Sequence, residues 1–155
     1  MVGFYAGSFD PFTNGHLELV KKAVNFFDKV IIGIGDNLEK KSRFDKQKMR
    51  NAIEETLLKE GINNVEVIIY NTLTTNEAKK YGANILIRGL RNGTDYQYEE
   101  NIAQLNEVNS GFDTCYFRAG KYGFLSSSIV MDLYVHREDV SKYVPEAVYK
   151  VMVEG

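Results

Sequence analysis

Cysteine is nearly missing from this chain. Cys115 is the only one in 155 residues, so no disulfide can close within it, and a reducing, cytoplasmic setting is the expectation. No apolar run approaches the roughly 18 residues that a membrane helix needs, so no membrane partner is expected. The first residues run straight into a strand pattern and show no signal peptide. Charge of one sign is also scarce. Lys and Arg number 19 against 21 Asp and Glu, a net charge of -2, which gives no support for a nucleic-acid partner. No repeat, low-complexity tract or linker interrupts the sequence, and a single domain over residues 1–155 is expected.

Two common nucleotide motifs are absent as well. Gly33-Ile34-Gly35 runs on into Asp36-Asn37-Leu38, without the third glycine of a dinucleotide fingerprint. Gly120-Lys121 lacks the upstream glycine and the Ser/Thr of a Walker loop. No nucleophile–base pair stands out. Cys115 sits in the apolar run Cys115-Tyr116-Phe117 and reads as a buried strand thiol. His136, in a stretch of mixed polarity, reads as a structural or surface residue. Asn92-Gly93-Thr94 matches a glycosylation acceptor but reads as a turn in a cytosolic chain.

What is present is an alternation of short β-rich runs and helical stripes. Residues 2–6, 30–34, 65–70, 85–87 and 114–117 read as strands, apolar throughout as if both sheet faces were covered. Leu17, Val20, Val24 and Phe27 mark a first helix over residues 17–27, and Met49, Ala52, Ile53, Thr56 and Leu57 a second. Further helices are expected over residues 76–81, ended by Gly82, then 99–108, 128–135 and 145–153, the last with Pro145 at its first position. The fold class is α/β. It is a doubly wound, Rossmann-like parallel sheet of about five strands, with helices on both faces and a helical C-terminal tail. Ligands then bind beyond the carboxyl ends of the strands, beside a switch in strand order.

The segment Gly7-Ser8-Phe9-Asp10-Pro11-Phe12-Thr13-Asn14-Gly15-His16 lies at such a place, between the first strand and the first helix. A glycine-containing loop before a helix makes a phosphate corner, because free N–H groups and the positive end of the helix dipole meet there. Gly15 admits a phosphate without a Cβ in the way. Ser8 offers a hydroxyl, and His16 a donor for charge building on a phosphorus under attack. Read alone, the loop is equally a helix cap with Thr13 or Asn14 as the capping residue. Ile85-Leu86-Ile87-Arg88-Gly89-Leu90-Arg91 ends a strand with two arginines, suited to bidentate phosphate binding. Tyr122-Gly123-Phe124-Leu125-Ser126-Ser127-Ser128 puts hydroxyls and amides before a helix, either as an anion site or as a simple cap. Lys40-Lys41 alone reads as a solvated basic turn. Asp95-Tyr96-Gln97-Tyr98-Glu99-Glu100 alone reads as an acidic first turn. Tyr5, Tyr70, Tyr96 and Tyr98 could stack on a base, though core packing is the simpler use of most tyrosines.

Thr13-Asn14-Gly15-His16 resembles the (H/T)-x-G-H signature of the nucleotidylyltransferase superfamily. With the preceding Gly-Ser-Phe-Asp-Pro-Phe, the Arg88-Gly89-Leu90-Arg91 run and Ser126-Ser127-Ser128, the chain resembles the phosphopantetheine adenylyltransferases. The resemblance implies transfer of an adenylyl group from ATP to 4'-phosphopantetheine, giving dephospho-coenzyme A and pyrophosphate. It implies catalytic roles for His16, Ser8, Lys40 and Arg91. ATP contacts would come from Ser8, Phe9, His16, Gly89, Leu90, Arg91, Glu99 and the stretch Tyr122, Gly123, Phe124, Leu125, Ser126, Ser127 and Ser128. The acceptor would meet Ser8, Lys40, Leu73, Thr74 and Arg88, with Lys41 as the alternative to Lys40. Mg²⁺ is implied as cofactor, held by phosphate oxygens and water with no protein metal site. Coenzyme A is implied as a feedback ligand, and a homohexamer as the assembly. The family commonly has Lys or Arg where this chain has Met131, with Lys121 or Arg137 as candidate replacements. The alternatives are a sibling enzyme acting on nicotinamide mononucleotide or a glycerol phosphate, or a sensor of ATP or coenzyme A without turnover.

Overall fold

The computed structural model describes residues 1–154, and at residues 93–95 the backbone alone. Its strands are β1 (Val2–Gly7), β2 (Lys29–Gly35), β3 (Val65–Tyr70), β4 (Ile85–Leu90) and β5 (Asp113–Arg118). They form one parallel sheet in the order β3-β2-β1-β4-β5. The helices are α1 (Asn14–Ala23), α2 (Lys46–Lys59), α3 (Thr74–Lys80), α4 (Gly93–Ser110), α5 (Ser127–Val135) and α6 (Glu146–Glu154).

Strand residues alternate between two apolar cores because successive side chains leave opposite faces. Tyr5, Val30, Ile32, Ile34 and Ile87 join α1, α2, α5 and α6 in the larger core. Phe4, Ile31 and Leu86 point the other way, to Ala78 of α3 and to Phe112. Burial on both faces is why the central strands read as unbroken apolar runs. The chain runs outward from β1 through β2 to β3 and returns to the other side of β1 with β4. The reversal opens a crevice between the carboxyl ends of β1 and β4.

Several element boundaries differ from the sequence reading. β4 continues past Ile87 to Leu90, so Arg88 lies within a paired strand and only Arg91 lies beyond it. α1 begins at Asn14 and ends at Ala23. Its cap is Thr13, and Phe27 is buried in the turn that leads to β2. α3 starts at Thr74, two residues earlier than the expected 76, and Gly82 ends it at φ 77°. α4 starts at Gly93 rather than at Glu99, so residues 93–94 open a helix instead of forming a turn. The side chains of Thr94 and Asp95 lie outside the described residues. Pro145 precedes α6 and accepts the Tyr149 N–H at 2.9 Å, one place earlier than a first helical position. A 3-10 turn at Gly120–Tyr122 has no periodic signal in the sequence.

Candidate active site

The carboxyl ends of the strands carry a group of adjoining cavities. One of about 310 Å³ is bounded by Ser8, His16, Arg88, Arg91, Glu99 and Ser127. A groove of about 610 Å³ runs beside it, along Asn37, Leu38, Thr72 and Thr74. A recess of about 300 Å³ holds Lys40, Lys41, Arg43, Lys46 and Ser128. An apolar recess of about 220 Å³ lies between β4 and α4, with Leu73, Thr74, Ile102, Ala103 and Asn106. Ser8 borders the first three, and Arg88 the first two and the last. These two residues stand where the spaces meet.

His16 is positioned by its own helix cap. The Thr13 N–H donates to His16 Nδ1 at 2.9 Å, and the His16 N–H donates to Thr13 Oγ1 at 3.3 Å. This is a capping box closed by histidine in place of the usual Glu or Gln. Phe12 stacks on the imidazole at 5.5 Å and Phe9 meets it edge-on at 5.0 Å. Phe9 adopts a left-handed φ of 46°, and its ring lies over Gly7, where a Cβ would come within 3.0 Å. A backbone N–H can only donate, so Nδ1 must accept and the ring proton sits on Nε2. Burial, and after it the positive charges of Arg88 and Arg91, lower the His16 pKa from 6.5 to about 4. At neutral pH His16 is therefore an uncharged N–H donor beside the cavity. Thr13 is thus the cap of α1, and the same bonds hold His16 at the edge of the cavity.

Arg88 donates from Nε and Nη2 to both carboxylate oxygens of Glu99, at 2.7 and 2.8 Å, and from Nη1 to the Ala6 carbonyl at 2.9 Å. Glu99 is 12 % exposed and lies in the second turn of α4. It is thus a partner for the arginine rather than a first-turn acid complementing the helix dipole. Among the described residues these bonds engage three of the five guanidinium N–H groups, and one on each terminal nitrogen is not used by them.

The serine segment divides by role. Ser126 caps α5, accepting the Ile129 N–H at 3.1 Å. Ser127 donates to the Pro11 carbonyl at 2.8 Å and ties α5 to the first loop. Ser128 faces the lysine recess. Leu125 is buried in the core at 5 % exposure, and the Tyr122 and Phe124 rings lie 6.5 Å apart, tilted at 49°. None of Leu90, Tyr122, Gly123, Phe124 and Leu125 borders the described cavities. Met131 packs against the core, and Lys121 lies over the Tyr122 ring at 5.3 Å. Tyr5 and Tyr70 are buried, Tyr70 bonding Thr74 Oγ1 at 2.8 Å. Tyr96 packs on Tyr116 at 5.8 Å. Cys115 is half-buried, its thiol pKa raised by burial and then by Asp113. His136 is an exposed residue bonded to its own helix at Asp132.

Sequence reasoning missed Asp10, whose carboxylate accepts the N–H groups of Arg43 and Phe44. It also missed Lys46, paired with Asp36 at 3.6 Å. Neither sits in a periodic pattern, and only the fold brings their partners close. Among the described residues no group of three or more His, Cys, Asp or Glu could hold a metal ion, and no helix is long and apolar enough to cross a membrane.

The cytidylyltransferase-like family matches residues 4–133. A phosphopantetheine adenylyltransferase from Lachnoclostridium phytofermentans is 39% identical over 155 residues, covering 99% of this chain and 94% of its own. One from Flavobacterium psychrophilum is 42% identical over 145 residues, covering 93% and 95%. A crystal structure from Vibrio parahaemolyticus, described as a candidate nicotinate-nucleotide adenylyltransferase, shares the fold. Its TM-score is 0.70 at 14% identity, over 98% of this chain and 97% of the other.

Proposed function

Since the chain belongs to the cytidylyltransferase-like family, and within it to the phosphopantetheine adenylyltransferases, we propose that it transfers the adenylyl group of ATP to 4'-phosphopantetheine. The products are dephospho-coenzyme A and pyrophosphate, so the chain serves coenzyme A biosynthesis. The observation that carries the mechanism is the meeting of His16, Ser8, Arg88 and Arg91 around one cavity, with His16 held as a neutral Nε2–H donor.

A phosphate monoester is already anionic at neutral pH, so its oxygen can attack the α-phosphorus without a general base. The new bond joins that oxygen to the α-phosphorus. The bond from the α-phosphorus to the oxygen bridging the β-phosphorus breaks, and pyrophosphate leaves with its electrons. Catalysis then rests on positioning and charge stabilisation. His16 donates to the oxygens of the five-coordinate phosphorus, an interaction that strengthens as charge builds. Ser8, bordering three of the cavities, orients the two phosphates toward each other. Arg88 and Lys40 hold the acceptor phosphate. Arg91 and the amino end of α5, at Ser126 to Ser128, receive the ATP phosphates. Leu73 and Thr74 face the recess that suits the long, weakly polar pantetheine arm. Three carboxylates at the cleft are engaged elsewhere, Glu99 on Arg88, Asp36 on Lys46 and Asp10 on the Arg43 and Phe44 amides, which favours Mg²⁺ held through phosphate oxygens and water rather than by a protein cage. That ion would screen the triphosphate's charge.

The homohexamer implied by the resemblance has support in Tyr98, Leu105 and Val108 of α4, which stay exposed. Coenzyme A, which contains both halves of the product, would compete for the same cleft. ATP made chiral by sulfur at the α-phosphorus tests the reaction. With 4'-phosphopantetheine, the thioadenylyl group should pass to the product with inverted configuration. No transfer would remove the substrate assignment, and retention would require a covalent enzyme intermediate.

A further inference from the structure

Residues 36–45, between β2 and α2, have no regular secondary structure, yet they carry Lys40 and Lys41. Something must fix that loop against the nucleotide loop for either ammonium group to meet a phosphate beside Ser8. We propose that Asp10 is the positioning residue that sets the acceptor end of the cleft, by tethering the lysine loop to the loop that holds Ser8 and His16. The proposal rests on the functional reading above.

One Asp10 carboxylate oxygen accepts the Arg43 N–H at 2.7 Å and the other accepts the Phe44 N–H at 3.0 Å. The Arg43 guanidinium returns to the Asp10 carbonyl at 2.9 Å. A carboxylate suits this place because each oxygen can accept one amide, and bonds to an ionised acceptor are the stronger kind. The opposite flank of the loop is held separately, by the Asp36 N–H on the Tyr70 carbonyl at 2.7 Å and by the Asp36–Lys46 pair at 3.6 Å. The tip between them is shaped by local bonds. The Lys40 N–H donates to the Asn37 carbonyl, and the Glu39 N–H to Asn37 Oδ1, each at 3.0 Å. Those bonds shape the tip but do not anchor it to the sheet.

Asp10 borders the same recess as Ser8, Lys40 and Lys41. Loosening its tether would let the lysines drift relative to Ser8, and a misplacement of about 1 Å can cost on the order of 100-fold in rate. His16 is held by different bonds, those to Thr13. The nucleotide side should therefore be spared, and this asymmetry separates positioning from general damage.

The experiment compares wild type, Asp10→Ala and Asp10→Asn in steady-state kinetics, with unfolding midpoints and backbone amide exchange. Asp10→Ala should raise the KM for 4'-phosphopantetheine about tenfold or more, with the KM for ATP within about twofold. Asp10→Asn, keeping one acceptor oxygen, should fall between. Parallel rises in both KM values, or an unchanged acceptor KM in a folded variant, would overturn the proposal. If Asp10→Ala fails to fold, the same criteria apply to Asp10→Asn. Amide exchange needs no substrate. The Arg43 and Phe44 amides should be protected in wild type and exchange faster in the variants, and equal protection would also overturn the proposal. Absence of wild-type turnover with phosphopantetheine would instead count against the reaction, and the exchange data would still decide the tether.

Discussion

The tautomer of His16 is set by a backbone amide, and its charge by burial and two arginines. Thr13 donates to Nδ1, so the proton belongs on Nε2, and a pKa near 4 keeps the ring neutral. NMR of the imidazole nitrogens should report the Nε2–H tautomer at neutral pH, with titration only as the pH approaches 4. A midpoint near the ordinary 6.5 would contradict this. The sign of the stability effect follows from proton uptake. The unfolded chain protonates His16 below 6.5 and the folded chain only near 4, so the unfolded state binds more protons in that window. His16's contribution is intact above 6.5 and is lost as the pH falls toward 4. Thermal melts should accordingly show a shallower acid decline between those pH values in His16→Ala than in wild type. In kinetics, His16→Ala should lower kcat about 100-fold or more while leaving the Kd for ATP nearly unchanged, because its contact strengthens in the transition state. Arg88→Ala should raise the acceptor KM and also lower the unfolding free energy by about 1–2 kcal/mol, since it strands Glu99 while Arg88 itself is 35 % exposed.

Among the elements, the central strands constrain the site most tightly. A Cβ on Gly33 would come within 2.5 Å of Phe4 Cζ and 2.9 Å of Tyr70 Cε1. Tyr70 in turn bonds Thr74 beside the larger groove of the cleft. Gly33→Ala should therefore cost about 1–3 kcal/mol in urea unfolding. The strands were legible because burial on both faces leaves continuous apolar runs. α2 was legible from its stripe, and each residue of Met49, Ala52, Ile53, Thr56 and Leu57 is buried. α4 was legible only in part. Its first turns carry polar residues whose spacing shows no apolar face, so the sequence places its start at Glu99 and gives no sign of the pairing of Glu99 with Arg88. The sequence places Arg88 past the strand because glycine and arginine look like a strand's end, whereas pairing of Arg88 with Tyr116 and Gly89 with Phe117 carries β4 onward.

At the scale of the whole molecule, the site exists because a parallel sheet brings loops far apart in sequence to one edge. His16, Arg88 and Ser127 border one cavity, and short motifs announced each of them. The long-range ties that hold the loops together had no such signal. Asp10 to Phe44 and Ser127 to Pro11 are pairings that only the folded chain defines. The exposed apolar strip on α4 predicts assembly. Light scattering after gel filtration should show an oligomer, and Leu105→Lys with Val108→Lys should shift it toward smaller species. The most direct measurement of the central claim is pyrophosphate release from ATP with 4'-phosphopantetheine, nicotinamide mononucleotide or glycerol 3-phosphate as the acceptor. The account predicts release with phosphopantetheine alone, accompanied by dephospho-coenzyme A. Release with either other acceptor, or ATP binding without release in any mixture, would contradict it.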